Sequence, residues 1–148
     1  VQNAVQKLKV LFLCAGNSCR SQMAEGWARK LTGDAVEAYS AGVEVHGLDP
    51  NAVRVMAEAG VNISGYRSKH VEEFRAVPFD WVVTVCSRAH EHCPVFPGET
   101  RVVHIGFDDP PRLARHAATE EEVLGHYRCV RDEIRALVEN LPGSLENH

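Results

Sequence analysis

Residues 9–14 (KVLFLC), 15–20 (AGNSCR) and 21–31 (SQMAEGWARKL) decide the fold, because a buried strand, a small-residue loop and an amphipathic helix follow one another without a gap. The first run is almost wholly apolar, the pattern of a strand covered on both faces. In the third, Met23, Ala24, Trp27, Ala28 and Leu31 share one helical face, and Gly33 is the expected stop. The same grammar recurs along the chain. Residues 36–40 read as a second strand, and Asp49-Pro50 supplies an N-cap and a first-turn proline for a helix reaching about Ala59, ended by Gly60. Residues 81–86 (WVVTVC) and 101–106 (RVVHIG) read as two further strands. From Thr119 a long helix is expected, with Val123, Tyr127, Val130, Ile134, Leu137 and Leu141 in its stripe and Glu120, Glu121 and Glu122 in its first turn. Strands alternating with helices predict an α/β fold, a doubly wound parallel four-stranded sheet with helices on both faces. In such a sheet the ligand crevice lies beyond the carboxyl ends of the strands. The expected strands deliver Cys14, Cys86 and the Asp108-Asp109 pair to that edge.

The 148 residues are the length of one domain, so 1–148 is read as a single unit. Hydrophobic residues make up 45% and charged residues 24%, which argues against a disordered or fibrous chain. The net charge of −4 gives no general attraction to nucleic acid or to an anionic membrane, and neither is expected as a partner. Any anion must be held by a local device that works against the overall sign. No apolar stretch approaches the ~18 residues of a membrane span, and the short apolar run near the first residue reads as a strand rather than a signal peptide. A cytoplasmic, reducing location is the expectation. Five cysteines (14, 19, 86, 93 and 129) are an odd number in a chain large enough to fold without them, which favours reactive or buried thiols over a disulfide framework.

The loop Cys14-Ala15-Gly16-Asn17-Ser18-Cys19-Arg20 puts a thiol at a strand end and a guanidinium where a helix begins. Successive N–H groups of such a loop can turn inward as an anion nest, and the helix amino terminus adds roughly half a positive charge. Arg20 can clamp two oxygens of a tetrahedral oxyanion with its planar fork. The same field favours a thiolate at Cys14, and Ser21 can give it a hydroxyl hydrogen bond. A cysteine and an arginine separated by five residues form a short pattern with a real false-positive rate; the strand–loop–helix setting and Ser21 give it weight. The loop lacks the glycine and lysine spacing of a nucleotide cradle.

The segments CAGNSCRSQMAEGWA, YSAGVEVHGLDPNAV, VVTVCSRAHEHCP and GFDDP resemble the thioredoxin-coupled arsenate reductases built on the low-molecular-weight tyrosine phosphatase fold, over residues 10–134. The resemblance implies arsenate as substrate, with phosphate or sulfate as competing oxyanions, thioredoxin as reductant and no cofactor. It implies a relay in which Cys14 attacks arsenate with loss of water and Cys86 attacks Cys14 as arsenite departs. Cys93 then attacks Cys86, and thioredoxin reduces the Cys86–Cys93 disulfide. Arg20 and loop residues Ala15, Gly16, Asn17, Ser18, Cys19 and Ser21 would bind the oxyanion, and Asp109 would be the general acid, with Asp108 a neighbour placed to substitute for it. Were residues 86–93 wholly helical, their ends would lie ~10.5 Å apart at 1.5 Å per residue. A disulfide requires less than about 7 Å between Cα atoms. The segment is therefore expected to rearrange on oxidation.

Other readings compete. Zinc on Cys86, Cys93, His90 and His92 fits no common ligand spacing, so no metal is expected there. A phosphatase would use water in place of Cys86, but Pro111, Arg112 and Leu113 stand where the phosphatases carry an aromatic residue to grip phosphotyrosine. A non-enzymatic oxyanion- or redox-sensing module is the remaining alternative. Relatives that bind potassium beside the loop use side chains matching Asn17, Glu25 and Ser40 with an aspartate where Lys69 stands here; the Lys69 ammonium is expected to replace the ion. Cys19 is expected to pack beneath the first helix, Cys129 to be a semi-exposed thiol, and His46 to be structural.

Overall fold

A computed structural model describes residues 7–146. Its four strands are β1 (Leu8–Cys14), β2 (Val36–Gly42), β3 (Trp81–Thr84) and β4 (Arg101–His104), all parallel, in the order β2-β1-β3-β4. The helices are α1 (Arg20–Leu31), α2 (Pro50–Glu58), α3 (Ser87–Glu91), α4 (Pro110–Leu113) and α5 (Glu120–Val138), with 3₁₀ turns at Val71–Phe74, Ala114–His116 and Gly143–Leu145. The expected four-stranded α/β sheet is present.

Alternation along β1 divides the core. Val10 and Phe12 face one side with Val83, where α1, α2 and α5 bring Met23, Trp27, Met56, Leu124 and Ile134. Leu11 and Leu13 face the other side with Val82, covered by Val71, Phe79, Ala89 and Phe96. That second face is thinner. It is closed by α3, a 3₁₀ turn and edge-to-face contacts linking Tyr39, Phe74, Phe79 and Phe96. Such contacts suit a shallow layer, since each ring buries a large area with little backbone. No helix among the described residues is long and apolar enough to cross a membrane.

The helix starts follow the expected chemistry. Asp49 caps α2 by accepting the Asn51 N–H at 2.9 Å, with Pro50 at the first position. Thr119 caps α5 by accepting the Glu122 N–H at 3.1 Å. Strand β2 runs two residues past the sequence expectation, to Gly42, and three other elements end short of it. β3 stops at Thr84, and Cys86, in extended conformation, becomes the N-cap of α3 rather than the end of a strand. β4 stops at His104, two residues early. α5 stops at Val138, so Leu141 is buried from the turn beyond, because the residue before Pro142 is disfavoured in a helix.

Trp27 joins the two long helices: its ring is 1% exposed and its Nε1 donates to the Arg131 carbonyl of α5 at 3.1 Å. Trp27→Ala is expected to cost about 3–5 kcal/mol of unfolding free energy, read as a lower midpoint in urea at unchanged slope.

Candidate active site

The loop between β1 and α1 is held from outside by its carbonyls. The Cys14 carbonyl accepts from Val43 N at 3.1 Å, Ala15 from Glu44 N at 2.8 Å, Gly16 from His46 N at 3.0 Å and Ser18 from Asp49 N at 2.9 Å. Gly16 O also takes the Ser68 hydroxyl at 3.0 Å, and Asn17 O takes Gln22 Nε2 at 3.1 Å. In a planar trans peptide the N–H of the next residue points opposite to the carbonyl. Five carbonyls drawn outward therefore turn the N–H groups of residues 15–19 inward, toward the space above Cys14. Asn17 shows the result, since its N–H donates to Cys14 Sγ at 3.1 Å.

Asn17 is the keystone, and it is buried with φ at 49°, a left-handed conformation that asparagine tolerates better than most residues. Its Oδ1 accepts from Lys69 N at 2.7 Å and from Gln22 Nε2 at 3.0 Å, which fixes the amide orientation and sends Nδ2 to Ser21 Oγ at 2.8 Å. Ser21 Oγ, accepting there, lies 2.7 Å from Cys14 Sγ and still has its own proton to share with that sulfur. Gly42 makes this close fit possible: a Cβ there would lie 2.7 Å from Asn17 N and 2.8 Å from the Gly16 carbonyl carbon. The His46 ring lies over Gly16, with its Nε2 2.8 Å from Glu44 Oε2.

Beyond the loop lies an open cavity of about 510 Å³ lined by Ala15, Arg20, Cys86, Arg88, His104, Asp108, Asp109 and Arg112, among others. Arg20 Nη1 donates to the Phe107 carbonyl at 3.0 Å, and its Nη2 lies 3.7 Å from Asp109 Oδ1. Asp109 holds the N-cap position of α4 without using its side chain as a cap, so its carboxylate is available at the cavity wall.

Strand register sends two of the cysteines to the same end of the sheet. Leu13 pairs with Thr84 on the neighbouring strand and accepts the Val85 N–H at 2.9 Å. Cys14 is the last residue of β1 and Cys86 lies two residues past the end of β3, at the same end of the sheet, with neighbouring strands about 4.8 Å apart. Cys86 Sγ accepts the Ala89 N–H at 3.4 Å as the cap of α3, and Cys93 lies just past that helix, half-buried against the second core layer. Burial pushes the Cys93 thiol up. Cys19 is buried beneath α1, and desolvation first, then the charges of Asp49 and Cys14, hold its thiol well above the usual range. Cys129 is an exposed free thiol, off the apolar stripe of α5. All five thiols are free.

Lys69 Nζ donates to the Arg67 carbonyl at 2.7 Å and lies 3.4 Å from Ser40 Oγ and 3.7 Å from Glu25 Oε1. Buried Glu25 also takes the Ser40 hydroxyl at 2.6 Å and pairs with Arg29 at 2.7 Å. Desolvation lowers the pKa of Lys69, partly offset by Glu25. The ammonium therefore stands among the oxygens expected to hold potassium, while support for Asn17 comes from the Lys69 backbone. With two cations already on one carboxylate, the donor set does not suit a third.

The sequence did not mark Gln22, Gly42 or Ser68 as parts of this shell. Gly42 carried the one usable signal, a glycine at the end of a buried strand where another backbone approaches.

A family model described as low molecular weight phosphotyrosine protein phosphatase matches residues 9–148. The chain is 48% identical to an arsenate reductase of Halalkalibacterium halodurans over 130 residues, 88% of this chain and 91% of that protein. It is 50% identical to an arsenate reductase of Bacillus subtilis over 125 residues, 84% of this chain and 88% of that one. A solved arsenate reductase in its phosphate binding state superposes with a TM-score of 0.70 at 33% identity, covering 90% of this chain and 95% of that one.

Gly42→Ala is expected to displace the loop, because the new methyl would strike backbone atoms that cannot swing away. Phosphate affinity measured by calorimetry should fall at least about tenfold, the equivalent of one or two lost charged hydrogen bonds, while the fold melts cooperatively.

Proposed function

The chain belongs to the low molecular weight phosphotyrosine protein phosphatase family, as an arsenate reductase within it, and we propose that it works by a three-thiol relay. Arsenate enters the loop, where inward N–H groups and the Arg20 fork hold its oxygens against the net charge of the protein. Cys14 thiolate attacks arsenic, and an oxygen leaves as water with a proton from Asp109. Cys86 thiolate then attacks Cys14 sulfur. The S–As bond breaks with its electron pair passing to arsenic, which departs as arsenite, and a Cys14–Cys86 disulfide remains. In sum, arsenate and two thiols give arsenite, one disulfide and one water.

Cys93 thiolate next attacks Cys86 sulfur, freeing Cys14 as thiolate and moving the disulfide outward. A thioredoxin-type dithiol closes the cycle, in keeping with a reducing cytoplasm. The observation that supports this reading is the register of β1 and β3, Leu13 against Thr84, after which the chain reaches Cys14 and Cys86 at the same end of the sheet. Hydrolysis alone would need neither Cys86 nor Cys93. Lys69 is proposed to serve in place of potassium, its ammonium holding Glu25 and Ser40 while its N–H holds Asn17.

Cys86→Ser is expected to abolish arsenite production while leaving phosphate binding, and any slow hydrolysis of an aryl phosphate, intact. Retained arsenate turnover in this variant contradicts the relay. Wild-type turnover is expected to be the same in potassium and sodium buffers of equal ionic strength, whereas Lys69→Asp should gain a potassium response. A large potassium stimulation of the wild type contradicts the role given to Lys69.

A further inference from the structure

Between Cys86 and Cys93, one side chain of α3 reaches out of the segment to the sheet. His90 Nδ1 lies 3.0 Å from Thr84 Oγ1 on β3, and the same oxygen lies 2.9 Å from His104 Nδ1 on β4. The two imidazole centroids are 4.8 Å apart. Thr84 is fully buried, and its hydroxyl has one other neighbour, the Val103 carbonyl at 3.4 Å. A hydroxyl has one proton and two acceptor sites. It therefore donates to one ring and accepts from the other, or turns its proton to Val103 and accepts from both. Either way one buried oxygen ties α3 to two strands.

The tie bears on the last thiol exchange, and its part there rests on the three-thiol relay. Cys86 is the N-cap of α3 and His92 its C-cap, six residues and about 9 Å apart at the helical rise. Cys93 lies one residue further, while a disulfide needs its Cα atoms within about 7 Å. Closing Cys86 to Cys93 must unwind α3, and that withdraws His90 from Thr84. The ion pair between Arg88 and Glu44 tethers the same helix, but both side chains are half exposed, so salt screens it. The bond to Thr84 has a buried end, and losing its partner there carries a desolvation cost.

We propose that Thr84, His90 and His104 form a catch that holds α3 wound in the reduced protein and sets how readily Cys93 captures Cys86. Thr84 and His90 are positioning residues; they touch neither substrate nor the reacting sulfurs. The exchange itself forms the Cys86–Cys93 bond as the Cys14–Cys86 bond breaks, with Cys14 leaving as thiolate and no net change in oxidation. Because the catch favours the wound dithiol, it makes the outer disulfide the more easily reduced by the external dithiol.

The test uses the full chain with Thr84→Val, which keeps the branched shape and loses the hydroxyl, Thr84→Ser, which restores it, and His90→Leu. Amide exchange of residues 86–93 in the reduced protein should quicken roughly threefold to tenfold in the valine and leucine variants, the range of one net hydrogen bond. Exchange in β1 should stay unchanged, and the serine variant should match the wild type. Equilibrated with a dithiol–disulfide buffer, the valine and leucine variants should favour the Cys86–Cys93 disulfide by the same factor, a tenfold change being about 30 mV toward more negative potential. A wild-type disulfide with unaltered exchange and potential in both variants, or a serine variant no better than valine, overturns the catch alone. If the wild type forms no Cys86–Cys93 disulfide after arsenate, the relay and the catch's part in it both fall.

Discussion

The active site depends on where five carbonyls point. Residues 14–18 send their oxygens out to the backbone of residues 43–49, to Ser68 and to Gln22, and peptide planarity then faces the N–H groups toward Cys14. A chain of net charge −4 can hold a doubly charged oxyanion only if such local dipoles are fixed before it arrives. Their fixation also explains why polar residues such as Asn17, Gln22 and Ser40 are fully buried in the core near the loop. Each of these buried groups has its hydrogen bonds met, as a rigid network requires.

The sheet supplies the second half of the design. Parallel neighbours in register bring the chain to Cys14 and Cys86 at the same end of the sheet, and Cys86 lines the cavity that Ala15 and Arg20 of the loop also line. On the proposed relay, the loop and Cys86 need rigidity, whereas the step from Cys86 to Cys93 needs a segment that can let go. Helix α3 meets that need: it is five residues long, capped by a weak sulfur acceptor and laid on the thinner face of the core. Short isolated helices draw little stability from their own hydrogen bonds, so side-chain ties decide how long such a helix persists.

Most of this architecture was legible in the sequence because strands and helices here are strongly periodic, and because Cys14, Arg20 and Ser21 lie within eight consecutive residues. The outer shell was not. Gln22 contacts the Arg67 carbonyl, Ser68 reaches Gly16 and Lys69 uses its backbone on Asn17, contacts that span 45 to 52 residues and leave no local pattern. The role of Gly42 is the absence of a Cβ, which spacing cannot reveal. Strand β3 read two residues too long because Val85 and Cys86 are apolar and extended; only the start of α3 at Ser87 turns Cys86 from a strand residue into a cap. The same turn brings His90 back over Thr84, a contact between residues six apart that neither a strand nor a helix period predicts.

The most direct measurement of the central claim is a single turnover without reductant, followed by mapping the sulfurs. Fully reduced protein mixed with excess arsenate should release one arsenite per chain and end with Cys86 joined to Cys93, Cys14 free and Cys19 and Cys129 unmodified. Arsenite release that leaves Cys86 and Cys93 as thiols, or a final disulfide through Cys19 or Cys129, would contradict the account.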